Sequence, residues 1–350
     1  NGEAEYLVSG DGKSIPVDFT EKRGGIYNVT VRTEDGSAEA TASATVMSVC
    51  CSVTFAENTV TTARGGIVDV TIDTPGYADN GTLVVGGRGS GYRAEVAFAD
   101  GGDDRVTVRF NTFAAGNDSL NVVSARNATD EVRLVNQTER ESLLEPGEYV
   151  LTTWSGGASD PPPDRASFSE LVVTERAEPR AGSVTVSAAP GSRERSAAID
   201  AAGPIDPDDA VAMGDWAVVD LHGPAVSGIV HAYGGLGAAA ASPSLRLEIE
   251  QTNPTPSCAR RGLRLEETEP VLAPNRTTLA LRPATAAFDA DGTANSHCRA
   301  EPQPGDEYIV RFAVTDDRLV GGEPDVSETR FGVVEGRDRK STRLNSSHYR

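Results

Sequence analysis

Six Asn-x-Ser/Thr sequons in residues 1–336 of this 350-residue chain are the residues whose types and spacing point most directly to chemistry. This tripeptide is the acceptor for N-linked glycosylation and requires access to solvent. The candidate acceptors are Asn28, Asn80, Asn117, Asn127, Asn136 and Asn275. Three of them fall within one polar stretch, residues 117–138. A single sequon arises readily by chance in a Thr-rich sequence, but this clustering favours occupancy of at least some of them.

Clusters of Asp form the second candidate site. Carboxylates in loops are the hard oxygen ligands that Ca²⁺ and Mg²⁺ prefer. Residues 289–292 (DADG) resemble half of a calcium loop, but the third acidic ligand and the bidentate Glu of an EF-hand are missing. We expect at most a weak Ca²⁺ or Mg²⁺ site and no other cofactor, with solvated acidic turns as the alternative. The candidate ligands are Asp100, Asp103, Asp104, Asp289 and Asp291.

The histidines predict no catalysis. His222, His231 and His297 lie outside the GxSxG and HExxH patterns that serine hydrolases and zinc enzymes use. The glycine-rich residues 86–91 are not followed by a helical pattern, so they indicate a hairpin turn rather than a phosphate-binding loop. Paired carboxylates for glycoside cleavage remain open in so acidic a chain.

Four cysteines are present. Cys258 and Cys298 lie in polar, loop-like stretches of one module and predict a disulfide, with two free thiols as the alternative. Cys50 and Cys51 are adjacent, so a bond between them would be strained. We expect them to pack at a module junction, because neither a CxxC pattern nor a nearby His suggests a metal.

A sequence motif that occurs three times indicates the secondary structure that must position the candidate site residues. Residues 25–30 (GIYNVT), 146–151 (PGEYVL) and 304–310 (PGDEYIV) each place a Tyr after a tight turn, at the start of an alternating strand. A second apolar strand follows each of them. A Tyr in this position is typical of a β-sandwich corner, where its hydroxyl bonds the corner backbone. The fold class predicted is all-β, with tandem Ig-like β-sandwich domains.

Strand and turn spacing divides the chain into modules. Residues 1–48 are predicted to be the C-terminal part of a truncated sandwich, residues 49–177 a complete sandwich and residues 178–336 a second, larger one. A short helix is expected at residues 206–212, where an Asp precedes a Pro. Residues 338–348 resemble a translated sequencing adapter, so residues 337–350 are treated as a non-native tail. Any lipid anchor or membrane helix is then expected beyond the printed chain.

Composition excludes some partners. Acidic residues outnumber basic ones 52 to 32, the formal net charge is -20, and only three lysines occur. Such a surface disfavours nucleic acid and anionic membranes, which attract Lys and Arg. Acidity together with scarce lysine favours a protein adapted to concentrated salt. An acidic domain from a GC-rich genome is the alternative.

Several phrases resemble the repeated surface domain of haloarchaeal S-layer and cell-surface glycoproteins. They are residues 65–72 (GGIVDVTI), 91–96 (GYRAEV), 108–116 (VRFNTFAAG), 212–219 (AMGDWAVV), 247–254 (LEIEQTNP) and 304–308 (PGDEY). The resemblance implies exported, N-glycosylated, Ig-like β-sandwich proteins of the cell surface, some of which form the S-layer lattice. The four cysteines and the lack of a Thr-rich stalk depart from this pattern.

The function predicted is therefore that of a structural cell-surface glycoprotein of a halophilic archaeon, without catalysis. Its partners would be neighbouring copies or other envelope glycoproteins, with no nucleic acid, and it would meet the membrane only through a C-terminal anchor. Two alternatives stay open: an adhesin or carbohydrate-binding surface module, and an accessory region of a secreted enzyme. Aromatic side chains along one exposed strand face would favour the adhesin.

Overall fold

The computed structural model describes thirteen segments of the chain. They are residues 25–33, 37–46, 53–76, 79–87, 89–157, 166–175, 183–205, 210–223, 225–273, 276–290, 298, 301–320 and 323–336. The chain divides into two compact units, Asn1–Cys51 and Ser52–Arg350. In the first unit, strands β1 (Gly25–Arg32) and β2 (Glu39–Val46) form an antiparallel hairpin with Gly25 opposite Val46.

The second unit begins with a β-sandwich. Its strands are β3 (Thr54–Phe55), β4 (Thr59–Ala63), β5 (Ile67–Asp73), β6 (Asn80–Gly87), β7 (Tyr92–Ala99), β8 (Arg105–Asn111), β9 (Val123–Ala125), β10 (Glu131–Gln137), β11 (Gly147–Ser155) and β12 (Ser167–Thr174). One sheet has the order β10-β7-β6-β11-β12-β4, and the other has the order β3-β5-β8-β9. We call this the first sandwich.

A second sandwich follows. Its strands are β13 (Ser183–Ala189), β14 (Gly203–Pro204), β15 (Ala210–Ala212), β16 (Trp216–His222), β17 (Leu245–Gln251), β18 (Arg261–Leu263), β19 (Val271–Ala273), β20 (Arg276–Leu281), β21 (Phe288–Ala290), β22 (Glu307–Val314) and β23 (Ser327–Val334). The helices are α1 (Arg195–Ala201), α2 (Val226–Ala232), α3 (Leu236–Ala240) and a 3-10 turn at Leu265–Glu267. Its sheets run β14-β13-β16-β20-β19 and β15-β23-β22-β17-β18-β21.

The six-stranded sheets of the two sandwiches share one strand topology. In each, an early strand pairs in parallel with the last strand: β4 with β12, and β15 with β23. The remaining strands of the six-stranded sheets correspond in the same order, because β12-β11-β6-β7-β10 matches β23-β22-β17-β18-β21. Among other differences, the second sandwich carries α2 and α3 between β16 and β17, and its other sheet has five strands instead of four. The all-β, tandem-sandwich prediction is confirmed.

Alternating burial builds each core. Along β7, side chains alternate between buried and half-buried from Tyr92 to Ala99, which is the period of a strand with one face inward. The core of the first sandwich contains Leu83, Phe110 and Leu151, and that of the second contains Tyr308 and Phe312. Burying each of these side chains stabilises the fold by about 1.5 to 3 kcal/mol.

The corner tyrosines of the two sandwiches differ. The Tyr149 hydroxyl donates to the Glu145 carbonyl at 2.8 Å, which is the backbone contact expected of a sandwich corner. The Tyr308 hydroxyl instead lies 3.4 Å from a carboxylate oxygen of Asp306. That carboxylate is held by Arg261 and by Gln251 Nε2 at 2.9 Å, so the second corner is built on a buried charged network.

The predicted helix at residues 206–212 is wrong where the structure describes it. Residues 210–212 form β15, which pairs in parallel with residues 332–334 of β23, and residues 206–209 lie outside the described part. Burial of Val211 and Ala212 against the last strand outweighs the local Asp-Pro signal. Helix α2 carries no start signal, since its N-cap is Ala225 at φ 68° with no side-chain cap.

Helix α2 joins the two sandwiches through hydrogen bonds, one of them buried. Asn111 Nδ2, at the end of β8, donates to the Gly228 carbonyl at 2.8 Å, and the Asn121 N–H donates to the Ala232 carbonyl at 3.0 Å. The Gly65 carbonyl packs so closely on Gly228 that a Cβ there would lie 2.0 Å from the oxygen. We call this contact the α2 joint.

Candidate functional site

Three carboxylates meet at one end of the first sandwich. Asp100 and Asp103 lie in the turn between β7 and β8, and Asp130 immediately precedes β10. Each offers an oxygen, and these oxygens all lie within 4.8 Å of one another. Strand pairing accounts for the convergence, because Glu131 of β10 is opposite Ala99 of β7. The residue before β10 therefore lies beside the residue after β7. We call these three residues the Asp cluster.

Asp100 is the half-buried member of the Asp cluster, and its carboxylate accepts three hydrogen bonds. Its Oδ1 accepts the N–H groups of Gly102 at 2.8 Å and Asp103 at 3.2 Å, and its Oδ2 accepts the Thr74 hydroxyl at 2.9 Å. Burial by itself raises the pKa of Asp100, but these hydrogen bonds to the charged form outweigh it, so the pKa lies below its ordinary value. Asp100 is therefore ionised at neutral pH.

Asp130 is the buried member, with 7 % of its surface exposed. Its Oδ1 accepts the Gly101 N–H at 3.1 Å, while its Oδ2 is buried without a hydrogen-bond partner. Gly101 permits the close approach, since a Cβ at that position would lie 2.5 Å from the Thr129 carbonyl oxygen. In the described stretches, no Arg or Lys forms an ion pair with any carboxylate of the Asp cluster.

The structure brings together two of the five predicted metal ligands. Asp104 follows Asp103 at φ 60°, and its Oδ1 receives the Gly76 N–H at 3.4 Å instead of joining the cluster. Asp289 pairs with Arg264 Nη2 at 2.6 Å, and Asp291 lies outside the described residues. Sequence reasoning missed Asp130, whose available signal was its place just before β10, which neighbours β7.

The described sequon asparagines lie at or near the surface. Asn28 is exposed on β1, Asn80 is exposed at the start of β6, and Asn127 and Asn136 are exposed next to and within β10. Asn117 is half-buried, with its Oδ1 accepting the Ser119 N–H and hydroxyl at 3.0 and 2.6 Å. Asn275 lies outside the described residues.

Two sequons adjoin the Asp cluster and two adjoin surface grooves. Asn127 Nδ2 donates to Asp103 at 3.2 Å, and Asn80 follows Asp79, whose carbonyl accepts the Asp100 N–H at 2.7 Å. Asn117 lines an open groove of about 510 Å³, and Asn136 lines a neighbouring groove of about 430 Å³. Glycans at these asparagines would therefore cover one face and one end of the first sandwich.

Cysteine chemistry is confined to the second sandwich in the described stretches. Cys258 and Cys298 form a disulfide with their Cα atoms 5.5 Å apart. It ties the segment before β18 to the segment that leads into β22. Cys50 and Cys51 lie outside the described residues.

A Ser-His contact in the α2 joint resembles part of a hydrolase triad. Ser124 Oγ lies 2.8 Å from His231 Nε2, and Asn111 Nδ2 lies 3.3 Å from His231 Nδ1. Asn111 is oriented by the Phe113 N–H on its Oδ1 at 3.0 Å, so its Nδ2 faces the ring as a donor. Nδ1 is then the acceptor and Nε2 carries the proton. A ring in that tautomer cannot take the proton of Ser124.

Burial sets the charge of His231. Desolvation lowers its pKa first, and Arg109 lowers it further, against smaller opposing contributions from Asn121 and Asp69. The neutral ring fits the hydrogen bonds described above, so this pair serves to hold the α2 joint.

Fold and site together define a class: a tandem β-sandwich protein with an acidic surface that bears sequons. Residues 51–156, most of the first sandwich, match a family described as a domain of unknown function, DUF7827. The chain is also 23 % identical over 292 residues to a protein of Haloferax gibbonsii named cell surface glycoprotein.

That match covers 80 % of this chain and 33 % of the relative, so the chain spans about a third of the relative's length. An alignment of 292 residues is longer than either sandwich, and it therefore extends over both. In the stretches that the structure describes, no helix is both long and apolar enough to cross a membrane.

Proposed function

We propose that the chain is a structural part of the surface of a halophilic archaeon: an extracellular, N-glycosylated, S-layer-like protein built from Ig-like sandwiches. Its partners are neighbouring copies or other glycoproteins of the envelope, and it catalyses no reaction. The observation that carries the proposal is the similarity to a cell surface glycoprotein, which extends over both sandwiches.

The α2 joint supports a structural role. Its hydrogen bonds, from Asn111 to Gly228 and from Asn121 to Ala232, connect the two sandwiches without a flexible linker at that point. Across the same contact, the Arg318 guanidinium lies 4.5 Å from the centre of the Phe113 ring. A joint of this kind fixes the spacing of successive domains, which a repeating surface layer requires.

The net charge of the chain supports the proposal that the protein works in concentrated salt. A net charge of -20 repels copies of the protein from one another in dilute salt, whereas salt at about 1 M shortens the range of that repulsion to about 3 Å. Close packing of copies at a cell surface is therefore compatible with this composition only in concentrated salt.

The adhesin alternative draws no comparable support. Phe168 is 63 % exposed on β12, with Val150 nearby on β11, but it is the only strongly exposed aromatic side chain among the described residues. A carbohydrate-binding face is expected to present several such rings.

The proposal is tested by expressing the complete gene in a halophilic archaeon. We expect protease added to intact cells to degrade the protein while a cytoplasmic marker survives. Glycopeptide mass spectrometry should find glycans on the exposed Asn127 and Asn136, and a Thr129→Ala variant should lose the glycan at Asn127 alone. Protection from external protease together with unmodified sequons would refute the proposal.

Lattice membership needs its own measurement. Isolated envelopes imaged by electron microscopy should show the tagged protein at a regular spacing. A dispersed label on a glycosylated, protease-sensitive protein would refute the S-layer-like assembly while leaving the surface location standing.

A further inference from the structure

We propose that Asp100, Asp103 and Asp130 bind a Ca²⁺ ion that ties the turn between β7 and β8 to the segment before β10. The inference does not depend on the cellular role proposed above. It rests on the convergence of the three side chains and on Asp130, the most buried of them, which has a carboxylate oxygen without a hydrogen-bond partner.

The spacing of the three carboxylates suits one ion. Ca²⁺ binds oxygen ligands at about 2.3 to 2.6 Å, so oxygens on opposite sides of its shell lie about 5 Å apart. The three carboxylate oxygens of the Asp cluster lie within 4.8 Å of one another. At the upper limit of 4.8 Å an ion at their centre would lie about 2.8 Å from each oxygen, so an adjustment of a few tenths of an ångström lets one ion contact all three.

Asp130 distinguishes this cluster from an ordinary solvated acidic turn, because its carboxylate is buried and lacks a hydrogen-bond partner on one oxygen. The side chain is more than nine-tenths buried, its carboxylate presents an oxygen to Asp100 and Asp103, and its Oδ2 has no hydrogen-bond partner. A buried carboxylate oxygen without a partner is costly, and a bound cation satisfies it.

The neighbouring carboxylates of Asp100 and Asp103 raise the free-energy cost of burying the Asp130 carboxylate. Asp100 is kept ionised by three hydrogen bonds from Gly102, Asp103 and Thr74. The described residues offer no basic side chain to this cluster, and Asn127 Nδ2 gives Asp103 a neutral donor only. Like charges at this distance destabilise the loop unless a cation lies between them.

Calcium fits this arrangement better than magnesium. Mg²⁺ demands near-ideal octahedral geometry at about 2.0 to 2.1 Å and retains several waters. Ca²⁺ accepts irregular sets of carboxylates and waters, and extracellular modules bind it with dissociation constants of about 10⁻⁴ to 10⁻³ M. Carboxylates fixed by separate loops match that adaptable shell.

The test compares melting temperatures of the full 350-residue chain in about 1 M NaCl, with chelator or with about 10 mM CaCl₂. At about 100 times the dissociation constant, calcium raises the ratio of folded to unfolded protein about 100-fold, and the melting temperature by a few degrees. Equilibrium dialysis with radioactive calcium should find one ion on this site. An equal or larger shift with MgCl₂ would overturn the calcium assignment.

Variants locate the ion. Asp130→Asn should abolish the calcium shift, yet melt at or above the native chain in chelator, because a buried like charge is removed. Asp104→Asn is the matched control: it removes the same charge from the same turn, Asn tolerates its positive φ, and the shift should stay. Asp103→Asn, at an exposed position, repeats the test should Asp130→Asn fail to fold.

Three results would overturn the proposal. The first is a native chain whose melting temperature does not respond to calcium. The second is a loss of the shift in Asp104→Asn as large as in Asp130→Asn or Asp103→Asn, which would indicate general charge screening. The third is a drop in Asp130→Asn of equal size with and without calcium, which would indicate a purely structural carboxylate.

Discussion

Replacing Gly228 with Ala should break the α2 joint. Gly228 lies in α2 with its Cα against the Gly65 carbonyl, and an added methyl would lie 2.0 Å from that oxygen and 3.1 Å from Asn111 Oδ1. A carbon and a carbonyl oxygen do not approach within 3 Å, so either the helix or the turn that holds Gly65 must move by about 1 Å. Both belong to backbone that is already hydrogen-bonded.

The magnitude follows from opposing effects. Overpacking of a close contact costs about 1 to 3 kcal/mol. A shift of about 1 Å also breaks the 2.8 Å hydrogen bond from Asn111 to the Gly228 carbonyl, a loss of about 1 kcal/mol. Alanine favours the helix by about 1 kcal/mol relative to glycine. We expect a net destabilisation of about 1 to 3 kcal/mol, because the steric and hydrogen-bond effects exceed the helix propensity.

Denaturant unfolding in concentrated salt measures this change. Gly214→Ala is the matched control, since it lies in the same sandwich and a Cβ there meets nothing within 4 Å. The native chain and the control should unfold alike, and Gly228→Ala should unfold at lower denaturant, with small-angle scattering showing a less fixed angle between the sandwiches. A Gly228→Ala variant as stable as the native chain, with unchanged scattering, would refute the close approach of Gly65 and α2.

Three further predictions concern charge. The lowered pKa of His231 favours its neutral form in the folded protein, so the stability that this neutral ring contributes is present above about pH 6.5 and is lost as the pH falls through the folded pKa. Melting curves from pH 8 to 5 should show this loss of stability. The His231→Gln variant should lose less stability over that range, whereas His222→Gln should behave like the native chain. Asp306→Asn should cost about 3 to 5 kcal/mol in denaturant unfolding because it leaves the buried Arg261 without its anion, whereas Glu328→Gln, at an exposed pair, should cost under about 1 kcal/mol; equal losses would contradict the burial argument. Because the screening length falls from about 30 Å at 0.01 M to about 3 Å at 1 M, the melting temperature should rise steeply with NaCl, and a flat series would remove the argument for salt adaptation.

Period-2 alternation and turn residues sufficed to predict the fold class, because each sandwich strand has one face inward. The same reasoning failed at residues 210–212, where pairing with β23 decides the conformation. It also gave no sign of α2, which starts at an uncapped residue and is apolar on nearly every side. Helices that exist because they fill an interface carry little local signal.

The sequence predicted two of the three residues of the Asp cluster. Asp100 and Asp103 stand in one short turn, and their proximity follows from sequence distance alone. Asp130 is 27 residues further on and joins them only because β10, the edge strand of the sheet, pairs with β7. That pairing is a property of topology, and no spacing within residues 100–104 could indicate it.

The α2 joint also explains two of the sequence phrases that resemble surface glycoproteins. Gly65 of residues 65–72 and Asn111 of residues 108–116 both face α2, and Asn111 there satisfies a backbone carbonyl of the second sandwich. These phrases therefore describe a contact between domains as well as a single domain. The match to DUF7827 ends at residue 156, before β12 and α2, so a chain cut there would lose the partner of Asn111 and expose the buried Phe113. The smallest unit expected to keep native stability contains both sandwiches.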